Sequence, residues 1–193
     1  ATGRTKVGSH CFIMAYAHVA HDCEVGDYVI LANSVNMAGH VKIEDHVVIG
    51  GMVPIHQFTR IGRHVMIGGG FRVPKDVPPY ALAGHDPLVF EGLNSVGLRR
   101  RSISPDVIRN IEHAYEIIYH RKLNVTQALE TIKKEMQLTE EVKHIVEFIQ
   151  ASKLRVLDSD GKQVGKLTKE EALKKAKYEE LDLVEIAPNT DPP

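Results

Sequence analysis

A disulfide framework, a membrane span and an excess of charge are all missing from this chain. Its 193 residues include two cysteines, Cys11 and Cys23. That is too few for a disulfide framework and fits a reducing cytoplasm. No tryptophan is present, and no apolar run approaches the roughly 20 residues of a membrane-spanning helix. No signal peptide is visible. The 24 Lys and Arg residues balance 25 Asp and Glu, so nothing global draws the main domain to nucleic acid or to a membrane surface.

What the chain does have is a period of six. Val7, Ile13, Val19, Val25, Leu31, Met37, Ile43, Ile49, Ile55, Ile61, Ile67 and Val73 follow one another at that interval without a miss. With 43% hydrophobic residues overall, chance does not produce this, and neither an α-helix nor an alternating strand has that period. It is the hexapeptide repeat of a parallel β-helix, in which each hexad is one flat side and three hexads make an 18-residue coil. The next residue is often small, as at Gly8, Ala20, Gly26, Ala32, Ala38, Gly50, Gly62 and Gly68, which suits places where a larger Cβ would be crowded. The first residues already lie in the repeat. An uncapped coil exposes strand edges that solenoids hide, so the start reads as a truncation.

The composition shifts along the chain imply a mainly β plus α protein in three parts. Residues 1–80 form the β-helix, ended by Asp76-Val77-Pro78-Pro79-Tyr80, because prolines cannot donate to a strand ladder. Residues 81–153 begin as an irregular connection with the basic run Arg99-Arg100-Arg101 and continue as a small helical domain. There Ser104-Pro105-Asp106 is a helix start, with Ile108, Ile111, Ala114, Tyr115, Ile118 and Tyr119 as its apolar stripe. Further helices are expected over about 125–136 and from near Thr139. Residues 154–193 read as a short ββαβ appendage: a hairpin turning at Asp160-Gly161, a helix opened by the capping box Thr168 to Glu171, and a strand over 181–186.

The 18-residue coil dictates which side chains stack. His21, Gly39 and Gln57 share one column, Asp22, His40 and Phe58 the next, and Ala20, Ala38 and His56 the one before, each step being about 4.8 Å. Three histidines, an aspartate and a glutamine thus converge on one edge. The bland reading is a solvated polar corner; the sharper one is general-base catalysis, because imidazole titrates near neutrality and a carboxylate can orient it. Alternation along the chain would point His21 and Asp22 apart, so direct contact requires a backbone bend between them. An amide near Gly39 is placed to stabilise an oxyanion. The alternative is a metal held by His18, His21 and Cys23, although this spacing fits no closed zinc motif.

Five stretches carry a closer resemblance: Met14-Ala-Tyr-Ala-His-Val-Ala-His-Asp-Cys23, Ala38-Gly-His-Val41, Gly50-Gly-Met-Val-Pro-Ile-His-Gln-Phe58, Asp76-Val-Pro-Pro-Tyr80 and Gly92-Leu-Asn-Ser-Val-Gly-Leu-Arg-Arg-Arg101. In order and spacing they resemble the C-terminal part of the bacterial acyl-carrier-protein–UDP-N-acetylglucosamine O-acyltransferases, the first enzymes of lipid A synthesis. The resemblance implies a left-handed β-helix, a cytoplasmic homotrimer with sites between subunits, and no metal or cofactor beyond the acyl carrier protein thioester. It implies that His21 is the general base toward the glucosamine 3-hydroxyl, that Asp22 supports it, and that Gly39 donates to the oxyanion. His18, His40, His56 and Gln57 would line the cleft, Asn94, Arg100 and Arg101 would meet the nucleotide, and Gly69 would leave room for a long acyl chain. The sequence departs from the pattern in lacking the family's N-terminal coils and in having Val96 where some members carry an acid. Two other readings stand beside it: a zinc enzyme of the γ-carbonic anhydrase type on the same prism, and a ribosome-interacting fragment. The last rests on residues 154–193, which resemble the N-terminal domain of bacterial translation initiation factor 3 through Arg155-Val-Leu-Asp158, Asp160-Gly161, Glu170-Glu-Ala-Leu173 and Leu181-Asp-Leu-Val-Glu-Ile-Ala-Pro-Asn189.

Overall fold

Each hexad folds into a two-residue strand and a four-residue corner. The computed structural model describes residues 3–152 and the backbone of residues 156–157 and 163–165. Lys6–Val7, Glu24–Val25, Lys42–Ile43 and Arg60–Ile61 stack in parallel as the first side of a prism. Phe12–Ile13, Ile30–Leu31, Val48–Ile49 and Met66–Ile67 form the second, and His18–Val19, Asn36–Met37 and Pro54–Ile55 the third. Partners stand one coil apart, as Glu24 does from Lys42 and His18 from Asn36. The six-residue aliphatic series points inward and is buried from Val25 onward. A second inward series runs two places ahead of it: Cys23, Val29, Val35, Val41, Val47, Val53 and Val65 are all fully buried. Two inward residues per hexad fill the prism.

The corners are where the backbone is forced. From His10 to His64 every sixth residue has a positive φ, including Tyr28 (57°), His40 (61°) and Phe58 (63°). None of these is glycine, although the left-handed conformation costs an L-residue roughly 1–2 kcal/mol. Each corner is held by the coil ladder, as when Tyr28 N–H donates to Ser9 O and His46 N–H to Asp27 O. Aspartates add to the ladder: Asp27 Oδ1 accepts from Ser9 N–H, and Asp45 Oδ1 from Asp27 N–H. The small residues have a different cause. A Cβ on Gly50 would lie 2.4 Å from Gly69 N and 2.7 Å from its Cα. Those are backbone atoms that cannot step aside, so Gly50→Ala is expected to cost roughly 1–3 kcal/mol in urea unfolding. Gly70→Ala, facing open space at φ 80°, should lose only the left-handed penalty, about 1 kcal/mol.

The solenoid runs beyond its double proline. The last coil is two residues short, with Val77 bridging to Ile61, and Asp76 Oδ1 accepting from Arg60 N–H. Pro78 and Pro79 take a corner rather than a strand, so Ala81–Gly84 can pair in parallel with Met66–Ile67. Val89–Leu93 then returns antiparallel to it, and helix α1 follows over Ser95–Arg100. The stretch expected to be irregular is therefore a hairpin and a helical turn. Helix α2 (Pro105–His120) starts at the Ser104 cap. Asn124 and Gln127 form a capping box for α3 (Val125–Glu135), and α4 spans Glu140–Ser152. The helices share a core of Leu98, Ile111, Ile117, Ile132 and Ile145 with Tyr80. Val156–Leu157 pairs antiparallel with Gln163–Gly165, as a hairpin requires; the other features expected of the appendage lie outside the described residues.

Helix α4 docks on the first side. His144 Nε2 lies 3.0 Å from Glu44 Oε2, and the Arg60 guanidinium sits over the Phe148 ring at 4.4 Å. Burial works to raise the Glu44 carboxyl, but the His144 bond and charge, Arg63 N–H and Arg60 overturn it and hold it below its usual range. Nearby, His10, Tyr28, His46, His64 and Tyr80 stack ring on ring up one corner at 4.8–5.7 Å. Burial first, then the charges of His46, Arg101 and Arg63 against the opposing Asp45, bring His64 down to about 4. Unfolded histidine titrates near 6.5, so the folded state binds fewer protons below that value. The stabilisation is complete above about pH 6.5 and is lost as pH falls toward 4, up to roughly 3 kcal/mol. His64→Phe keeps the stack and should flatten this acid limb, read as thermal midpoints from pH 7 to 4.5.

Candidate active site

Asp22 occupies a left-handed corner at φ 59°, and that bend turns its side chain back onto its neighbour. His21 Nδ1 and Asp22 Oδ2 are 2.8 Å apart. The imidazole is 68% exposed and the carboxylate 1% exposed. Asp22 Oδ1 accepts from Gly3 N–H at 2.8 Å, which fixes the plane of the carboxylate. One coil on, His40 brings Nε2 to 3.8 Å from the same Oδ2, and its ring meets His21 edge-on. Phe58 stacks on His40 at 4.7 Å. Gly39 lies directly beneath the His21 ring: a Cβ there would come within 2.6–2.7 Å of Cε1 and Nε2. The Gly39 carbonyl accepts from Phe58 N–H, fixing the turn that carries its amide.

The other expected residues are distributed over the three edges. His18 lies on the outer face of the third side, paired in register with Asn36. His56 and Gln57 continue the His21 edge, both exposed, with His56 Nδ1 3.2 Å from the Gln57 carbonyl. Gly69 does not join them. It stands on the corner between the second and third sides, where Gly70 N–H donates to Gly51 O. Asn94 is engaged within the chain: its Oδ1 accepts from Gly97 N–H, and its Nδ2 donates to His64 O. It anchors α1 to the remaining corner, where Arg101 lies close enough for its charge to act on His46 and His64. Arg100 and Arg101 are exposed. The Cys23 thiol is buried and pushed up by that burial, away from the proposed His18–His21–Cys23 metal set. Phe58 and Gly3 are the participants not assigned from sequence; for Phe58 the signal is its place one coil beyond His40.

The His21 edge is a ridge in the single chain. Two surface hollows lie elsewhere, one of about 580 Å³ bordered by Arg4, Lys6 and Asp27, the other of about 330 Å³ between Phe90, Tyr115 and His120. The outward residues of the three sides differ in kind. The first side shows Lys6, Glu24, Lys42 and Arg60; the third shows His18, Asn36 and Pro54. The second shows Phe12, Ile30, Val48, Met66 and Leu82 in register, an apolar column whose first member is 59% exposed.

Known proteins share this fold. Residues 76–157 match the family described as UDP N-acetylglucosamine O-acyltransferase, domain 2. Residues 4–39 match the bacterial transferase hexapeptide family, and residues 145–193 the N-terminal domain of translation initiation factor IF-3. The acyl-[acyl-carrier-protein]–UDP-N-acetylglucosamine O-acyltransferase of Thermodesulfovibrio yellowstonii is 48% identical over 78% of this chain and 58% of its own length. That of Fusobacterium nucleatum is 54% identical over 77% and 58%. Among solved structures, the Francisella novicida UDP-N-acetylglucosamine acyltransferase superposes with a TM-score of 0.73 at 34% identity, over 82% of this chain and 59% of that one. The Bacteroides fragilis enzyme gives 0.68 at 44% identity, over 70% and 53%. The chain spans about three-fifths of the length of the curated relatives it matches. Neither the zinc-enzyme reading nor the ribosome-led one gains support here, the initiation-factor match being confined to the end of the chain. Up to the end of α4, this chain is a homologue of the acyl-carrier-protein–UDP-N-acetylglucosamine O-acyltransferases, built on their left-handed parallel β-helix.

Proposed function

We propose that this chain moves a (R)-3-hydroxyacyl group from acyl carrier protein to the 3-hydroxyl of UDP-N-acetylglucosamine, the first step of lipid A biosynthesis, in the bacterial cytoplasm. The observation that carries the reading is the His21–Asp22 contact at a bent corner above Gly39. Asp22 accepts a hydrogen bond from Nδ1–H, so the lone pair of His21 is on Nε2, on the exposed side of the ring. Nε2 takes the proton of the sugar hydroxyl as its oxygen attacks the thioester carbonyl. The Gly39 amide donates to the oxyanion, and the intermediate collapses by breaking the carbon–sulfur bond. The carrier thiolate leaves and takes the proton from His21. Nothing in this sequence of steps calls for a metal or a cofactor. His18, His40, His56 and Gln57 line the acceptor edge. Arg100 and Arg101, on the turn that Asn94 fixes, meet the nucleotide phosphates, a task guanidinium geometry suits.

The site requires more than one copy of the chain. Gly69 and Arg101 are on different edges of the prism from His21, and a ridge becomes a cleft only against another surface. The apolar second side supplies the means, because a stacked column such as Phe12, Ile30 and Val48 is stabilised by covering. We therefore infer a homotrimer with each acceptor edge facing a neighbour that brings the Gly69 groove, which leaves space for a long acyl chain. Mass measurement in solution should give three times the 21.5 kDa chain. The function is tested by acyl transfer from a 3-hydroxyacyl carrier protein to UDP-N-acetylglucosamine, comparing the chain with His21→Ala. Equal rates in the two would end the assignment.

A further inference from the structure

We infer that His21, Asp22 and His40 form a binding site for a zinc-type divalent cation, and that the cation holds the catalytic base in its inactive tautomer. The ligand atoms are in place. One ligand atom from each of His21, Asp22 and His40 lies within 4.8 Å of the others, and the short approaches run from His21 Nδ1 and from His40 Nε2 to Asp22 Oδ2. In a tetrahedral zinc site the bonds are about 2.0–2.1 Å, which sets ligand atoms roughly 3.3 Å apart. Two edges, 2.8 Å from Nδ1 to Oδ2 and 3.8 Å from Nε2 to Oδ2, lie on either side of that value. Movements of about half an ångström bring both of these edges to that value. Two imidazoles and a carboxylate are a donor set that zinc accepts, with a fourth position left open to water.

The surroundings favour a cation at this point. The Asp22 carboxylate is almost wholly buried, and Gly3 N–H holds its Oδ1, so Oδ2 is aimed at the two rings. Phe58 stacks on His40, an apolar neighbour that limits the access of water to that ring.

The chemical consequence follows from the single proton of a neutral imidazole. Without metal, Nδ1 carries the proton toward Asp22 and Nε2 is free to accept. A cation on Nδ1 bonds through the lone pair that this nitrogen has only once its proton has moved to Nε2, and the ring then no longer accepts a proton from a hydroxyl. The metal is thus an inhibitor rather than a cofactor. Only this last step rests on the acyl-transfer reading; the binding site and the tautomer change do not.

Cobalt(II) is the probe, because tetrahedral cobalt absorbs visibly and zinc then displaces it. Titrating the whole chain should saturate at one equivalent, with the bands lost on adding zinc. Asp22→Asn and His40→Phe, the latter keeping a ring on Phe58, should each weaken binding by at least about tenfold, whereas His56→Ala should not. Nitrogen NMR of the His21 ring should show the proton on Nδ1 without zinc and on Nε2 with it. The site is overturned if binding does not saturate near one equivalent, or if both variants bind cobalt like the parent. The tautomer change is overturned if zinc binds and the His21 proton stays on Nδ1.

Discussion

Replacing His21 by alanine is expected to lower kcat for acyl transfer by about 100-fold to about 10,000-fold, the range that a positioned general base supplies. KM for the carrier-bound donor should change little, since proton removal belongs to the transition state and not to binding. The companion substitution is more diagnostic. In Asp22→Asn an amide replaces the carboxylate 2.8 Å from Nδ1, and it can present N–H as well as oxygen. If the amide N–H faces Nδ1, the imidazole must carry its proton on Nε2 and cannot act as a base. The loss should then approach that of His21→Ala although the imidazole is intact. The double variant should lose hardly more than either single one, because the two residues act as a unit. Independent, multiplying losses would show that Asp22 serves something other than the orientation of His21.

Why was one part of this site legible before the structure and another not? Stacking in a solenoid is arithmetic. Once Val7, Ile13 and Val19 establish the period, the 18-residue coil places His21 over Gly39 and Asp22 over His40, and the ladder His40 N–H to His21 O obeys it. The helices were equally plain, since Ser104-Pro105-Asp106 states a start in local chemistry. The contact between His21 and Asp22 was out of reach because it depends on a φ of 59° at Asp22. Left-handed residues are ordinarily read from glycine or asparagine, and here the corners fall on Tyr28, His40 and Phe58. The parallel strand Ala81–Gly84 was hidden by Pro78 and Pro79, which read as a stop but form a corner of a shortened coil. Asn94 shows the converse limit. Its residue type allows a nucleotide contact, a cap or both, and only the positions of Gly97 and His64 reveal the two bonds that it makes within the chain.

The space between coils also separates two roles that Gly39 combines. Gly39→Ala is expected to reduce kcat by about 100-fold, the cost of displacing a reacting group by about an ångström, with little change in the unfolding midpoint. The new Cβ would come 2.6 Å from His21 Cε1 and 2.7 Å from Nε2, so the ring must swing away from Asp22. It can do so cheaply because it is largely exposed, unlike the backbone atoms that face Gly50. Gly39 is not among the positive-φ glycines, so alanine suits its backbone. Alanine also keeps the amide N–H, and the oxyanion donor therefore survives the substitution. What is lost is the place of the imidazole. In a His21→Ala background the same change should then cost almost nothing, because no ring remains to be moved. A further large loss in that background would mean that Gly39 acts through its turn and its amide, not through the room it leaves for His21.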